Sequence, residues 1–118
     1  MKRYHLLLAG ASWMAEYGDP DDPAEWEFIS RYSPYQRLRA GLAMPQFLMT
    51  TSTRDDRVHP GHARKFVARM EELGYPVRYY ENIEGGHGGA ADNRQSAFKS
   101  ALAYEFLWRT VGEAEPAD

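Results

Sequence analysis

The stretch from residue 46 to residue 83 constrains the fold of this chain more than any other. Residues 46–52 form an apolar run suited to a strand covered on both faces, and residues 77–83 are rich in β-branched and aromatic types. Between them, residues 61–73 predict an amphipathic helix that ends at Gly74. The apolar stripe of this helix consists of Ala63, Phe66, Val67, Met70 and Leu73. A strand, a helix and a strand in this order predict a parallel pair joined by a right-handed crossover.

The same alternation extends to both sides of this unit. Residues 4–11 form a continuous apolar run that predicts a first strand, and Asp22 with Pro23 marks the start of a short helix over residues 24–31. Residues 93–111 predict a last helix. Its inward-facing side chains are Phe98, Ala101, Leu102 and Trp108. The chain therefore predicts an α/β fold of three strand–helix units.

Three strands make a narrow sheet with an open edge, so we expect these units to be the last part of a wider parallel sheet. A chain of 118 residues is one domain at most. We expect residues 1–111 to form part of such a domain and the small, acidic residues 112–118 to form a flexible tail.

Composition excludes several classes of function. The net charge is −3 without a basic block, so the chain offers nucleic acid no electrostatic footprint. The absence of cysteine excludes disulfides and thiolate metal sites. No apolar run approaches the length of a membrane span or of a signal-peptide core. We therefore expect no membrane partner and a cytoplasmic location.

Two loops carry residue types that suit acid–base chemistry. Asp55 follows the second predicted strand, and His87 follows the third in a loop with two glycines on each side. Parallel strands end at the same sheet edge, so the two side chains could meet there, with the carboxylate fixing the imidazole tautomer. The alternatives are an aspartate that braces its turn or caps the next helix, and a glycine loop that holds a histidine by chance. The nucleophile motif Gly-x-Ser-x-Gly is absent from the 118 residues.

Other side chains have both a structural and a functional interpretation. Trp13 and Tyr17 could form an aromatic wall of a pocket or could pack under their loop. Arg57 could bind a substrate carbonyl or pair with a nearby carboxylate. Four potential metal ligands lie close in sequence: Asp55, Asp56, His59 and His62. Pro60 turns the two imidazoles apart, so we expect polar residues of a helix start and no metal site.

Four segments together resemble one known family. They are residues 11–18, 32–34, 53–60 and 86–88, in correct order and spacing over nearly the whole chain. This pattern is similar to the C-terminal part of the catalytic domain of prolyl oligopeptidases, serine peptidases whose α/β-hydrolase domain is capped by a β-propeller and which cleave short peptides after proline. The resemblance implies a truncated α/β-hydrolase sheet.

The resemblance also implies residue roles. Asp55 would be the triad acid and His87 the general base. Trp13 would stack on the proline before the scissile bond, Tyr17 and Val58 would line the same pocket, and Arg57 would hold a peptide carbonyl. In the family the nucleophilic serine and the oxyanion-hole tyrosine lie upstream of the matched part. Ser12 precedes the pocket tryptophan and cannot replace the nucleophile.

The sequence therefore predicts a C-terminal fragment of a prolyl oligopeptidase-like serine peptidase that needs no cofactor. It would act on short proline-containing peptides only when another segment supplies the serine, and its peptidase activity alone would be negligible. An alternative is an inactive interaction module that self-associates through an exposed sheet edge, namely that of the first predicted strand, as a homo-oligomer.

Overall fold

The computed structural model describes residues 1–112 of the chain. Beyond Gly112, the predicted flexible tail lies outside the described residues. The elements in chain order are two 3₁₀ segments, Tyr4–Leu6 and Leu8–Trp13, followed by α1 Met14–Tyr17, α2 Pro23–Ser30, α3 Pro34–Arg37, β1 Phe47–Ser52, α4 Gly61–Glu72, β2 Val77–Asn82, α5 Asn93–Leu107 and a π-helical turn Trp108–Gly112.

The central unit is the β-α-β arrangement that the sequence predicts. Strands β1 and β2 pair in parallel, with Phe47 opposite Val77 and Ser52 opposite Asn82. Helix α4 connects them and buries Val67 and Met70. The α/β fold class is therefore confirmed. The parallel pairing matters for function, because both strands end at the same edge and the loops that follow them emerge side by side.

The first predicted strand is wrong. Residues 4–11 form 3₁₀ turns whose backbone bonds are local, such as Leu7 N to Tyr4 O at 3.2 Å and Gly10 N to Leu7 O at 2.9 Å. Leu6 and Leu8 are 61% and 51% exposed. An apolar run becomes a buried strand only beside a neighbouring strand. In the described part of the chain β1 and β2 pair only with each other, so the sheet has two strands and short-range bonds satisfy this backbone instead.

The N-terminal segment packs around α2. As predicted, Asp22 caps this helix by accepting hydrogen bonds from the amides of Ala24 and Glu25, and Pro23 occupies the first turn. Ile29 of α2 is fully buried. The hydroxyl of Tyr4 donates to the carbonyl of Gly18 at 2.6 Å and closes the loop before the helix. Buried Tyr4 and Ile29 thus add a second small cluster to the core that Val67 and Met70 form.

The predicted inward face of α5 is formed only in part. No residue of α5 is buried, and Phe98 and Trp108 are 54% and 68% exposed. Phe98 contacts Tyr80 of β2 with ring centroids 5.4 Å apart, which holds one end of the helix against the sheet. An inward face needs a layer to pack against, and the two strands are too narrow to cover the rest of the helix. Within residues 1–112, no helix has the length and apolar character required to cross a membrane.

Candidate active site

The acid loop begins where β1 ends. The amide of Thr53 donates to the carbonyl of Asn82 at 2.8 Å, which ties the start of the loop to the end of β2. Asp55 Oδ1 then accepts hydrogen bonds from the backbone amides of Arg57 and Val58, both at 2.9 Å. This side chain braces its own turn, so its carboxylate is fixed by the loop that carries it.

The base loop follows β2 and presents His87 at its tip. Residues 86–89 form a tight turn in which Gly89 N donates to Gly86 O at 2.9 Å. The backbone of Gly89 has a φ of +79°, which favours glycine. Lys99 of α5 donates to the carbonyl of Gly88 at 3.0 Å. The turn is therefore supported by both its own backbone and the following helix.

The two loops bring Asp55 and His87 into contact. His87 Nδ1 lies 3.0 Å from Asp55 Oδ2 and 3.1 Å from Oδ1. A carboxylate can only accept, so the geometry assigns the proton to Nδ1 and leaves the Nε2 lone pair free. Nε2 has no hydrogen-bond partner among residues 1–112. Of the two side chains, that of Asp55 is the better shielded from solvent: it is 10% exposed, whereas that of His87 is 46% exposed.

The electrostatics keep Asp55 ionised. Burial raises the pKa of its carboxyl, but the backbone amides of Val58 and Arg57 and the contact with His87 together outweigh burial and lower this pKa below its usual value. A carboxylate that stays charged near neutral pH can stabilise an imidazolium as His87 takes up a proton. The pair thus has the chemistry of a general base with an orienting acid.

A cavity of about 750 Å³ adjoins this pair. Asp55, Val58 and His87 line one side, and apolar side chains form much of the remainder, including Phe47 and Phe66. A volume of this size is in the range of small-molecule and peptide side-chain sites. His87, whose Nε2 makes no hydrogen bond in the described residues, therefore lines space that can hold a substrate group.

The structure separates the aromatic candidates from this cavity. Trp13 is half-buried at the end of its 3₁₀ segment and does not line the cavity. Tyr17 is 40% exposed, packs edge-on against Tyr4 with centroids 6.1 Å apart, and lines a second cavity with Phe28. Arg57 is exposed and its side chain makes no bond within the described residues. Of the predicted site residues, only Asp55, His87 and Val58 are brought together.

The four potential metal ligands do not form a group. His59 Nδ1 accepts a hydrogen bond from the amide of Gly61 at 2.9 Å, as a residue of a helix start does. The one group of three or more potential ligands in residues 1–112 is a different one: His5, Asp19 and Asp21. His5 Nε2 there lies 2.9 Å from Asp21, a partner that the sequence did not suggest.

Sequence reasoning missed Asn82. This residue is the last of β2 and is 5% exposed, and its side chain bonds to the backbone of the base loop and to Gln95. The available signal was an asparagine at a strand end, followed three residues later by a glycine pair. Asparagine commonly hydrogen-bonds to backbone a few residues further along the chain.

Comparison with known proteins gives one family. The model of the prolyl oligopeptidase family matches residues 1–114. The uncharacterized peptidase y4nA of Sinorhizobium fredii is 50% identical over 111 residues, which cover 94% of this chain and 15% of that protein. Prolyl oligopeptidase ophP of Omphalotus olearius is 33% identical over 118 residues, which cover 95% of this chain and 16% of that protein.

Solved structures agree with these sequence matches. A post-proline cleaving enzyme from Rickettsia typhi has a TM-score of 0.91 at 34% identity, covering 95% of this chain and 16% of that one. Prolyl oligopeptidase B from Galerina marginata, bound to a 35mer substrate, has a TM-score of 0.82 at 27% identity, with the same coverage. The chain thus spans only 15–16% of the length of these relatives.

Proposed function

Because this chain belongs to the prolyl oligopeptidase family, we propose that it supplies the acid and the base of a serine peptidase site that cleaves short peptides after proline. The observation that carries this proposal is the Asp55–His87 hydrogen bond at the edge of a cavity that both residues line. Asp55 holds the imidazole in the tautomer that leaves Nε2 free. His87 removes the proton from the attacking serine hydroxyl and then donates it to the departing amine.

The serine in this proposal comes from a segment outside the 118 residues. Ser52 lines the cavity, but its buried hydroxyl makes no hydrogen bond, and Ser12 donates to the carbonyl of Ala9. In Galerina marginata, prolyl oligopeptidase B has been solved with substrates as alanine mutants of a serine, a histidine and an aspartate. The last two residue types match His87 and Asp55.

The remaining roles concern substrate binding. We assign Val58, which lines the cavity, to the proline pocket, and we assign Trp13 and Tyr17 to the same pocket in the complemented enzyme, where they would have to approach Val58 from their position outside the cavity. Arg57 has an exposed guanidinium with no bond in the described part of the chain, which suits a contact to a peptide carbonyl. Stacking of an indole on a proline ring supplies the preference for proline.

Activity of the chain alone should be negligible. Removing the nucleophile from a serine protease triad lowers turnover by roughly 10⁶, and the remainder depends on an oxyanion hole. The test is complementation with the part of the Sinorhizobium fredii peptidase that lies outside the matched segment. We expect the mixture to cleave a chromogenic post-proline peptide, although neither component does so alone.

Variants of this chain identify the acid and the base in that assay. His87→Ala should lower activity of the mixture at least 10⁴-fold, and Asp55→Asn about as much, because the imidazole then loses its orienting acceptor. Asp56→Asn is the matched control, since this neighbour is exposed and its side chain makes no bond in the described residues; it should keep wild-type activity. Activity that survives His87→Ala would contradict the assigned base.

A second candidate function is self-association. The edge that the sequence suggested, in residues 4–11, is helical, so the open edges belong to β1 and β2. Several large apolar side chains are also exposed, among them Tyr104 and Val111. An uncovered strand and uncovered apolar surface both favour pairing with another copy. The concentration dependence of sedimentation tests this candidate.

A further inference from the structure

The end of β2 joins the two catalytic loops. The backbone carbonyl of Asn82 accepts from Thr53, at the start of the acid loop, at 2.8 Å. The side chain of Asn82 faces the other loop, where its Oδ1 accepts from the amides of Glu84 at 2.9 Å and Gly85 at 2.5 Å. One buried residue thus bonds to the acid loop through its backbone and to the base loop through its side chain.

Gln95 of α5 completes this arrangement. Its Oε1 accepts from Asn82 Nδ2 at 2.9 Å and from the amide of Ala91 at 2.8 Å. Its own amide hydrogens bond to the carboxylate of Glu84. The base loop is therefore held at its beginning by Asn82 and at its end by Gln95. His87 lies between these two points, so the position of its ring depends on both.

We propose that Asn82, held by Gln95, is a positioning residue that sets the His87 ring against Asp55. This inference rests on the proposed function of the Asp55–His87 pair. Both lone pairs of Asn82 Oδ1 are used by loop amides. Because the residue is buried, removing its side chain leaves those amides unsatisfied, and the loop must move to satisfy them. A shift of about 1 Å at a catalytic group can cost about 100-fold in rate.

The experiment reads the His87 tautomer in the whole 118-residue chain by long-range ¹H–¹⁵N NMR, at a pH where the imidazole is neutral. Wild type should show the proton on Nδ1, bonded to Asp55. Asn82→Ala should lose that bond and give a mixture of both tautomers. Asn93→Ala is the matched control. It makes the same change at an exposed asparagine, 11 residues further along the chain, whose side chain makes no bond in the described part.

Two further variants keep the test decisive if Asn82→Ala does not fold. Asn82→Asp retains the acceptor for the amides of Glu84 and Gly85 and loses only the donor to Gln95, whose Oε1 stays bonded to the amide of Ala91, so this variant should keep the Nδ1-protonated form. Gln95→Ala removes the support from α5 at a half-buried position and should also give mixed tautomers. In the complementation assay, Gln95→Ala should lower kcat about 100-fold with KM within a factor of about three.

The outcomes separate the two proposals. A wild-type tautomer in folded Gln95→Ala and in folded Asn82→Ala would overturn the positioning role and leave the proposed function intact. Absence of the Nδ1-protonated form in wild type itself would count against both. Loss of the bond in Asn82→Ala and Gln95→Ala, with retention in Asn82→Asp and Asn93→Ala, supports the inference.

Discussion

The carboxylate of Asp55 both braces its own turn and lies against the imidazole of His87. Its Oδ1 accepts the amides of Arg57 and Val58, and both oxygens lie within 3.1 Å of His87 Nδ1. The two interpretations that the sequence left open, a turn brace and a partner for the histidine, therefore describe the same side chain. The brace fixes the carboxylate within its own loop, so the contact with His87 costs little additional conformational entropy.

The sequence predicted this pair but not the residues around it. Asp55 and His87 follow strands and sit in recognisable loops, so topology alone places them at one edge. Asn82 offers a weak local signal at a strand end, but no pattern links it to Gln95, 13 residues further along the chain. Their side chains meet only because α5 packs beside the end of β2. Contacts of this kind depend on tertiary packing, which residue types at fixed spacing do not encode.

A residue-level prediction concerns Glu81, which faces the acid loop from β2. Its carboxylate bonds to Arg64, to the Thr53 hydroxyl at 2.6 Å and to Tyr79 at 2.5 Å, and these contacts, that of Arg64 foremost, lower its pKa to about 2. A carboxyl with a lowered pKa in the folded state stabilises the fold above its unfolded pKa of about 4.3. This contribution is lost as the pH falls towards 2.

Glu81→Gln should therefore lower the free energy of unfolding at pH 6 by no more than about 1 kcal/mol, because the Arg64 side chain is 48% exposed and solvent screens the pair. The difference from wild type should disappear near pH 2. Urea titrations at several pH values measure it. Glu71→Gln on α4, exposed and without a side-chain bond in the described residues, should show no such pH dependence. A difference in the free energy of unfolding that stays constant across this pH range would show that folding does not lower the pKa of Glu81.

At the scale of elements, the β-α-β unit was predictable because its evidence is local. Helix α4 has its own apolar stripe and a glycine end, and its predicted residues Val67 and Met70 are buried. Residues 4–11 have a strand-like composition, but a strand also needs a neighbour, and composition says nothing about neighbours. The same limit applies to α5, whose exposed apolar residues, such as Tyr104 and Leu107, lack an opposing layer in the described structure.

The base loop gives a prediction at this scale. A Cβ at Gly85 would lie 2.6 Å from the backbone nitrogen of Ala90, where the chain passes close to itself, whereas one at Gly88 would meet nothing within 4 Å. Gly85→Ala should therefore destabilise the chain by about 1–3 kcal/mol, the usual cost of forced overpacking. Gly88→Ala should change stability by less than about 0.5 kcal/mol. Equal urea midpoints for the two variants would show that the loop does not have this close approach.

The described part of the molecule has a small core for its length. Its radius of gyration is 16.8 Å, against about 13.5 Å for a compact domain of 118 residues. The buried apolar side chains among the described residues are few: Tyr4, Ile29, Leu38, Val67 and Met70. A chain with so little apolar burial gains stability by covering its exposed surface, either with the remainder of a peptidase domain or with another copy of itself.

Self-association should proceed through β1. Arg78 and Glu81 place charges on β2, whereas residues 47–52 contain none, and charged side chains are what protect an open edge.

The average mass of the chain in sedimentation equilibrium should rise with concentration. Thr50→Lys, at an exposed position in the middle of β1, should weaken this association at least tenfold, whereas Ala68→Lys on the exposed side of α4 adds the same charge and should not. If the complementing peptidase segment extends the sheet beside β1, it should also compete with association. A monomer at all concentrations, or equal weakening by both lysines, would exclude pairing through this strand.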